Sequence, residues 1–476
     1  MMRKAWFCQG RTTLSALLRL IAISLLCLTA VLPPPLAQGE EGENMKEWHF
    51  GFGRRQILFP ESEVQSLYIA GYHNGVHISE TLDWCEARAV WLDDGGEGAL
   101  IIGVDCVALD SGTVGTIRDA LKDIPGCQSV NVFATHTHAG PDTLGLWGPV
   151  MQDGKNKAYM EALVRAACEA AGEAAAGTHP ASLRFGLVKT ENMYRDSRYP
   201  TVYDENLYQL RFAALDGAPG LRLLFYGAHA ESLRGGNTRL SRDYPGLLCD
   251  GVAEATGDGA MFLPGAVGGL IMTREFVNAS ASPVENLKIT AGKLVDYALS
   301  IAEESETAVS PGMKLCRQPF VVPLDNPVFL AYKALGILKN PSLPFQSATG
   351  FGVQTELTLL GLDGLTIAFL PGELFPELAS GAAYGDANPE GVNPKPLNEI
   401  AAEHGLGRLL IVGLANDELG YIIPPSDFLL NEKTPYLSRT MDRRGEDHYE
   451  ETNSVGPACA ARLADAFAEA AGWLEE

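Results

Sequence analysis

Short apolar runs that stop abruptly at polar residues recur along this chain, and they limit its fold more than any other feature. "GALIIGVDCVAL", "QSVNVFATHTHAGP" and "LRLLFYGAHAES" are too apolar to leave much of a face in water. "GAMFLPGAVGG", "LTIAFLPGELFPELA" and "GRLLIVGLANDELGYIIPP" each pass from a short apolar stretch through a glycine-rich turn into polar residues. Runs of this kind are strands of sheets covered on both faces. Helical patterns lie between them. "SGTVGTIRDALKDI" has helical spacing after a Ser/Thr-rich start, "KAYMEALVRAACEAAGEAAA" is alanine-rich and closed by Gly177 and Pro180, and "SVGPACAARLADAFAEAAGWLEE" reads as a final amphipathic helix. "ASLRFGLVKT" and "NLYQLRFAAL" alternate as strands with one exposed face do. The expectation is an α/β protein: a large single catalytic domain of mixed, mostly buried β-sheets flanked by helices, with its chemistry at strand ends.

No low-complexity linker or repeat divides the chain, and 476 residues suffice for a substantial core. Residues 45–476 therefore read as one unit, with Pro311 to Pro344 its most loop-like interval. Before that unit, Arg3, Lys4, Arg11 and Arg19 precede the apolar run "LIAISLLCLTAVL" and then "PPPLAQGE". The run is about 13 residues, where a spanning helix needs roughly 20. Residues 1–38 read as a secretory signal peptide, which predicts a secreted or periplasmic protein without stable transmembrane insertion after cleavage. The formal charge of -23 repels phosphate backbones, so nucleic acid is excluded as a natural partner. The cysteines after the signal are scattered, with no Cys-x-x-Cys spacing, and read as buried thiols.

The candidate chemistry sits where the strands stop. His136 and His138 are two apart at the end of "SVNVFA", and would point the same way if the strand continued. His229 follows "LLFYGA", Glu373 follows "IAFLPG", and Asp105 ends the apolar "LIIGV". Zinc accepts such nitrogen and oxygen ligands and, in catalytic sites, keeps one position open. A bare His-x-His also arises by chance, and each of these groups has an ordinary structural reading when taken alone. There is no His-Glu-x-x-His, Walker loop, Gly-x-Ser-x-Gly elbow or dinucleotide fingerprint to suggest other chemistry.

Taken in order, "GFGRRQILFP", "ARAVWLDD", "VDCVALD", "VFATHTHAGP", "RDYPG", "LPGELFPE" and "GLANDELGYIIP" resemble the neutral/alkaline non-lysosomal ceramidase family across most of the chain after the signal. The resemblance implies a Zn2+ amidase that cleaves the N-acyl bond of ceramide or a ceramide-like small-molecule or lipid substrate. It implies metal ligands at His136, His229, Glu373 and Tyr421, with Tyr421 either a fourth ligand or a transition-state donor. It implies catalytic roles for His138 as a polar group of the pocket and for Arg195, in "ENMYRDSRYP", as the balance for developing charge. Two departures accompany it. Where the family carries a catalytic serine this chain reads "LPGAVGGLIMTR", with Gly268 and Gly269 near the position. The immunoglobulin-like domain that follows the family's catalytic part has no counterpart in the residues after "LANDELGY". These departures leave two further readings open: a zinc hydrolase of a small soluble amide or ester, and a secreted non-catalytic binding protein.

Overall fold

The strand Trp48–Gln56 carries glycines at 51 and 53 because a helix lies almost on its backbone. A Cβ at these positions would come within 1.9 Å of the Ala174 carbonyl oxygen and 2.0 Å of that of Ala170. Helix Lys157–Ala176 allows this approach by turning alanines 162, 166, 167, 170, 171 and 174 inward, and Asn156 caps its start by accepting the Tyr159 N–H. Both partners are trimmed to the backbone, so the sequence sets the spacing between helix and sheet.

The computed structural model describes residues 46–269, 271–274 and 281–475. The expected signal peptide over 1–38 lies outside the described residues. Trp48–Gln56 belongs to a nine-stranded sheet with the order Gly259–Pro264, Leu221–Tyr226, Asn206–Ala214, His179–Lys189, Trp48–Gln56, Glu86–Asp93, Gly98–Val104, Cys127–Ala134, and with Thr307–Val309 also on His179–Lys189. The outermost pair at each end is parallel and the pairs between are antiparallel. A five-stranded sheet follows the order Lys314–Leu324, Phe351–Leu362, Leu365–Phe369, Arg408–Val412, with Ser342–Pro344 also on the second strand.

The two sheets pack face to face. Leu360, Leu362, Leu365, Ile367 and Phe369 meet Phe50, Val90, Ile101, Phe133 and Phe225 in one core. Strand periodicity sends alternate side chains the other way. Leu100, Ile102 and Val132 pack under helices Ser111–Leu121 and Lys157–Ala176, and Leu224 and Phe262 under Asp243–Thr256 and Pro283–Leu299. Leu357, Leu359 and Ala368 pack under Leu397–Glu403 and Cys459–Glu475. Both sheets are thus covered on each face, in helix–sheet–sheet–helix layers, and this is why their strands read as unbroken apolar runs.

The interval Pro311–Pro344 is not loop-like. It forms the strand Lys314–Leu324 and the helix Pro327–Ala334. Pro319 and Pro323 are tolerated because that strand lies at the edge of its sheet, where ladder donors are dispensable. Cys85, Cys106, Cys249, Cys316 and Cys459 are buried free thiols, and Cys127 and Cys168 are partly buried. No helix among the described residues is long and apolar enough to cross a membrane.

Candidate metal centre

Four strand ends deliver the site. Strand Cys127–Ala134 stops before Thr135, whose hydroxyl donates to Asp105 Oδ1 at 3.1 Å. Asp105 Oδ2 accepts the Glu86 N–H at 3.0 Å. Asp105 is therefore tied into the strand ends as a structural acid, and burial, opposed by Arg88 and Arg242, pushes its carboxyl up to about 6. The strand does not continue through the histidines, as the sequence suggested. His136 has φ 65°, a left-handed conformation that a non-glycine residue adopts only when its surroundings hold it there. The chain turns at this residue, and the turn brings the two rings together. The Thr137 hydroxyl donates to Ser241 O at 2.8 Å and the His138 N–H to Ala230 O at 3.0 Å, which fixes the turn against the segment carrying His229.

Strand Leu221–Tyr226 leads to His229, whose N–H donates to Ile271 O at 2.8 Å. Strand Leu365–Phe369 leads to Glu373, which pairs in parallel register with Tyr421 just beyond strand Arg408–Val412. Asn416 clamps the two sheets together at this edge. Its Oδ1 accepts the Val132 N–H at 3.0 Å and its Nδ2 donates to Asn131 Oδ1 at 3.1 Å.

Three imidazoles and a carboxylate converge there. Nδ1 of His136 donates to Val107 O at 2.7 Å, and Nδ1 of His229 to Ile271 O at 2.9 Å. A carbonyl can only accept, so both rings carry the proton on Nδ1 when neutral and turn an Nε2 lone pair inward. His229 Nε2 lies 2.9 Å and His136 Nε2 3.3 Å from Glu373 Oε2, and His138 Nε2 is 3.2 Å from His136 Nε2. The ligand atoms of His136, His138 and His229 all lie within 4.8 Å of one another. His136 is 3% exposed, His229 0% and Glu373 8%. Lone pairs and an anionic oxygen turned on one another, away from water, repel unless a proton or a cation lies between them. The set fits a metal ion, and the backbone carbonyls behind His136 and His229 are the outer partners that ligating histidines use.

The charges agree. Burial alone would raise the Glu373 carboxyl, but His136 and His229 overcome it and hold it far below the usual carboxylate range. Burial would lower His229, yet Glu373 raises it. Burial, followed by the neighbouring His136 and His229, drives His138 well below 6.5, so that ring stays neutral.

Tyr421 lines the cavity beside this cluster, with its hydroxyl 3.0 Å from that of Tyr449, and burial followed by the charge of Glu373 keeps it protonated. Arg195 is not brought in. It pairs with Met272 through its backbone but its side chain is exposed and does not line the cavity. The buried arginine of that segment is Arg198, whose guanidinium binds Asp427 at 2.9 Å, Glu450 at 2.8 Å and Glu451 at 2.9 Å. His448 and Glu450 of "DRRGEDHYEETNSVGP" thus serve Arg198, and the same segment lends the cavity Tyr449, Asn453 and Val455.

Sequence reasoning also missed Tyr72, Glu231 and Glu418. The Tyr72 hydroxyl donates to Glu231, whose Oε2 is 3.7 Å from His138 Nδ1. Glu418 joins the wall three residues before Tyr421, and burial, then Glu373, pushes its carboxyl well above the usual range. The cavity encloses about 310 Å³, and its walls are mixed: Val107, Leu144, Leu146, Trp147, Phe329 and Val455 line it beside Tyr72, Asn74, Glu418, Tyr449 and Asn453.

Gly268 has a steric reason to lack a side chain. A Cβ there would lie 2.6 Å from the Phe375 nitrogen and 2.7 Å from the Glu373 carbonyl oxygen. A serine has no room in this arrangement.

No family model matches the chain, and no curated protein matches its sequence. Solved structures do match the fold. A neutral ceramidase from Pseudomonas aeruginosa superposes with a TM-score of 0.68 at 17% identity, over 90% of this chain and 75% of that one. A ceramidase complexed with C2 superposes with a TM-score of 0.67 at 15% identity, over the same 90% and 75%. At such identities the likeness is one of fold.

Proposed function

We propose that this chain is a metal-dependent hydrolase, with Zn2+ as its metal, that cleaves the amide bond of ceramide or a ceramide-like N-acyl compound. The observation that carries the reading is the buried convergence of His136, His229 and Glu373 at the wall of a cavity with a partly apolar lining. The two solved structures that share the fold are ceramidases, which supports the choice of bond.

His136, His229 and Glu373 would hold the ion, with Tyr421 a fourth ligand or a donor beside it. Bound zinc would polarise the amide carbonyl and lower the pKa of water at its open position. The chain's own residues supply the rest. Tyr421, protonated because it is buried next to Glu373, offers its Oη–H to the carbonyl oxygen as negative charge builds there. His138, whose Nε2 is directed at the cluster, is the imidazole placed to pass a proton to the leaving amine. Glu231 and Tyr72 lie behind it, with Glu231 Oε2 3.7 Å from His138 Nδ1. Arg195 has no part in this scheme. The apolar part of the wall, Val107, Leu144, Leu146, Trp147 and Phe329, offers a surface that an acyl chain could cover. Export through the signal at 1–38 remains part of the proposal.

The experiment is release of free amine from a panel of N-acyl substrates, with His136→Ala and Glu373→Ala as controls. Turnover by the parent protein alone supports the reading. Turnover that survives both substitutions would remove these residues from the reaction.

A further inference from the structure

One cation lines the cavity among its described residues, and the reaction above gives it no task. Lys333 stands on the short helix Pro327–Ala334, near Phe329, and its side chain enters the wall with Asn340. Its ammonium donates to the Asn340 carbonyl oxygen. No carboxylate among the described residues forms an ion pair with it. The acids that act on it, Asp417 and Asp110, bond to other groups and give it no hydrogen bond among the described residues, although Oδ2 of Asp417 has no partner of its own. Asp417 accepts the Ser111 N–H at 2.8 Å and the Asn340 amide, and Asp110 accepts the Thr113 N–H at 2.9 Å and the Lys339 N–H at 3.0 Å. An ammonium has three protons to donate, and among the described residues it makes a single hydrogen bond. In a chain of net charge -23, a lysine with spare donors at a cavity wall and no ion-pair partner among the described residues is poorly explained by the fold alone. Partial burial already lowers its pKa, so an anion delivered to it would relieve a cost as well as form a contact.

Resting on the reading that this cavity holds the N-acyl substrate, we infer that Lys333 is a specificity-determining residue that receives a substrate carboxylate. The preferred substrate then carries a carboxylate in one of two positions: on the amine part, as in an N-acyl amino acid, or at the far end of the acyl chain.

Ketone analogues, which cannot be hydrolysed, test this by calorimetry without any turnover. 4-Oxoundecanoate mimics N-octanoylglycine, 8-oxoundecanoate carries its carboxylate at the far end of the chain, and 1-hydroxy-4-undecanone is the neutral reference. The expected result is that one carboxylate binds about tenfold or more tightly than the alcohol, as a charge-assisted contact in a partly dry site would give. The isomer that gains identifies the position. Lys333→Met should remove the gain, and Lys333→Gln should reduce it in the same way if the methionine variant folds poorly. Equal binding of all three probes by the parent protein, or a gain that persists in both variants, overturns the role of Lys333 while leaving the cavity reading intact. Failure of all three to bind overturns both.

Discussion

Replacing Gly268 by alanine should unseat Glu373. The new Cβ would meet the Phe375 nitrogen at 2.6 Å, the Glu373 carbonyl oxygen at 2.7 Å and the Phe375 ring at 2.5 Å. Carbon contacts relax only near 3.5 Å, so one of the two segments must move by about 1 Å. They cannot part freely, because the Gly268 N–H donates to Leu374 O at 2.9 Å, one residue from Glu373. Overpacking costs roughly 1–3 kcal/mol and a lost hydrogen bond about 1 kcal/mol more. A movement of that size also exceeds the roughly 0.2 Å that a metal ligand's distance tolerates. The expected outcome is a lower melting temperature and a zinc affinity reduced by at least about tenfold, read by titration against a competing chelator. Gly268→Ser, which adds the same Cβ, should behave alike and gain no activity. A variant that melts and binds zinc as the parent does would refute the argument, because it would mean that the two segments part without cost.

Further outcomes can be checked with the same protein. Zinc affinity should fall with decreasing pH by about tenfold per unit once His229 protonates, and this should begin above pH 6.5 because Glu373 raises that histidine. In the metal-free protein the signs of the two linkages oppose. The stability that His229 contributes is present at low pH and lost as pH rises through its raised pKa, whereas that of Glu373 is present above the usual carboxylate range and lost as pH falls toward its depressed pKa. Arg198→Leu should destabilise the fold by about 3–5 kcal/mol in denaturant melts, since it leaves Asp427, Glu450 and Glu451 without their cation. Arg195→Ala should alter stability by no more than about 0.5 kcal/mol and leave the zinc content as it was, in keeping with its exposure.

Much of this was legible because the strands are buried on both faces. Gly98–Val104 and helix Lys157–Ala176 stand where the apolar run and the alanine pattern put them. His136, His229 and Glu373 stood out as polar residues directly after such runs, and the structure does bring them together. What one sequence could not convey was which ends meet. Asp105 has the same local pattern as Glu373, yet it faces Thr135 and the Glu86 N–H across neighbouring strands. Arg195 and Arg198 are three residues apart in one loop, and only the distant acids at 427, 450 and 451 decide which of them is buried. The left-handed turn at His136 has no glycine to announce it. The interval 311–344 carries Pro319 and Pro323 within a strand, where they are harmless at a sheet edge, and an edge is a property of the assembled sheet. Tyr449, Glu418 and Lys333 come from three separate segments, and no spacing pattern links them.

Zinc content of the purified protein tests the central claim most directly, measured by elemental analysis after zinc is supplied and excess removed, with His229→Ala and Glu373→Ala beside the parent. The account predicts about one zinc per parent chain, as in a mononuclear site of this donor set, and substantial loss in both variants. A parent chain that retains no zinc, or variants that retain as much as the parent, would contradict it.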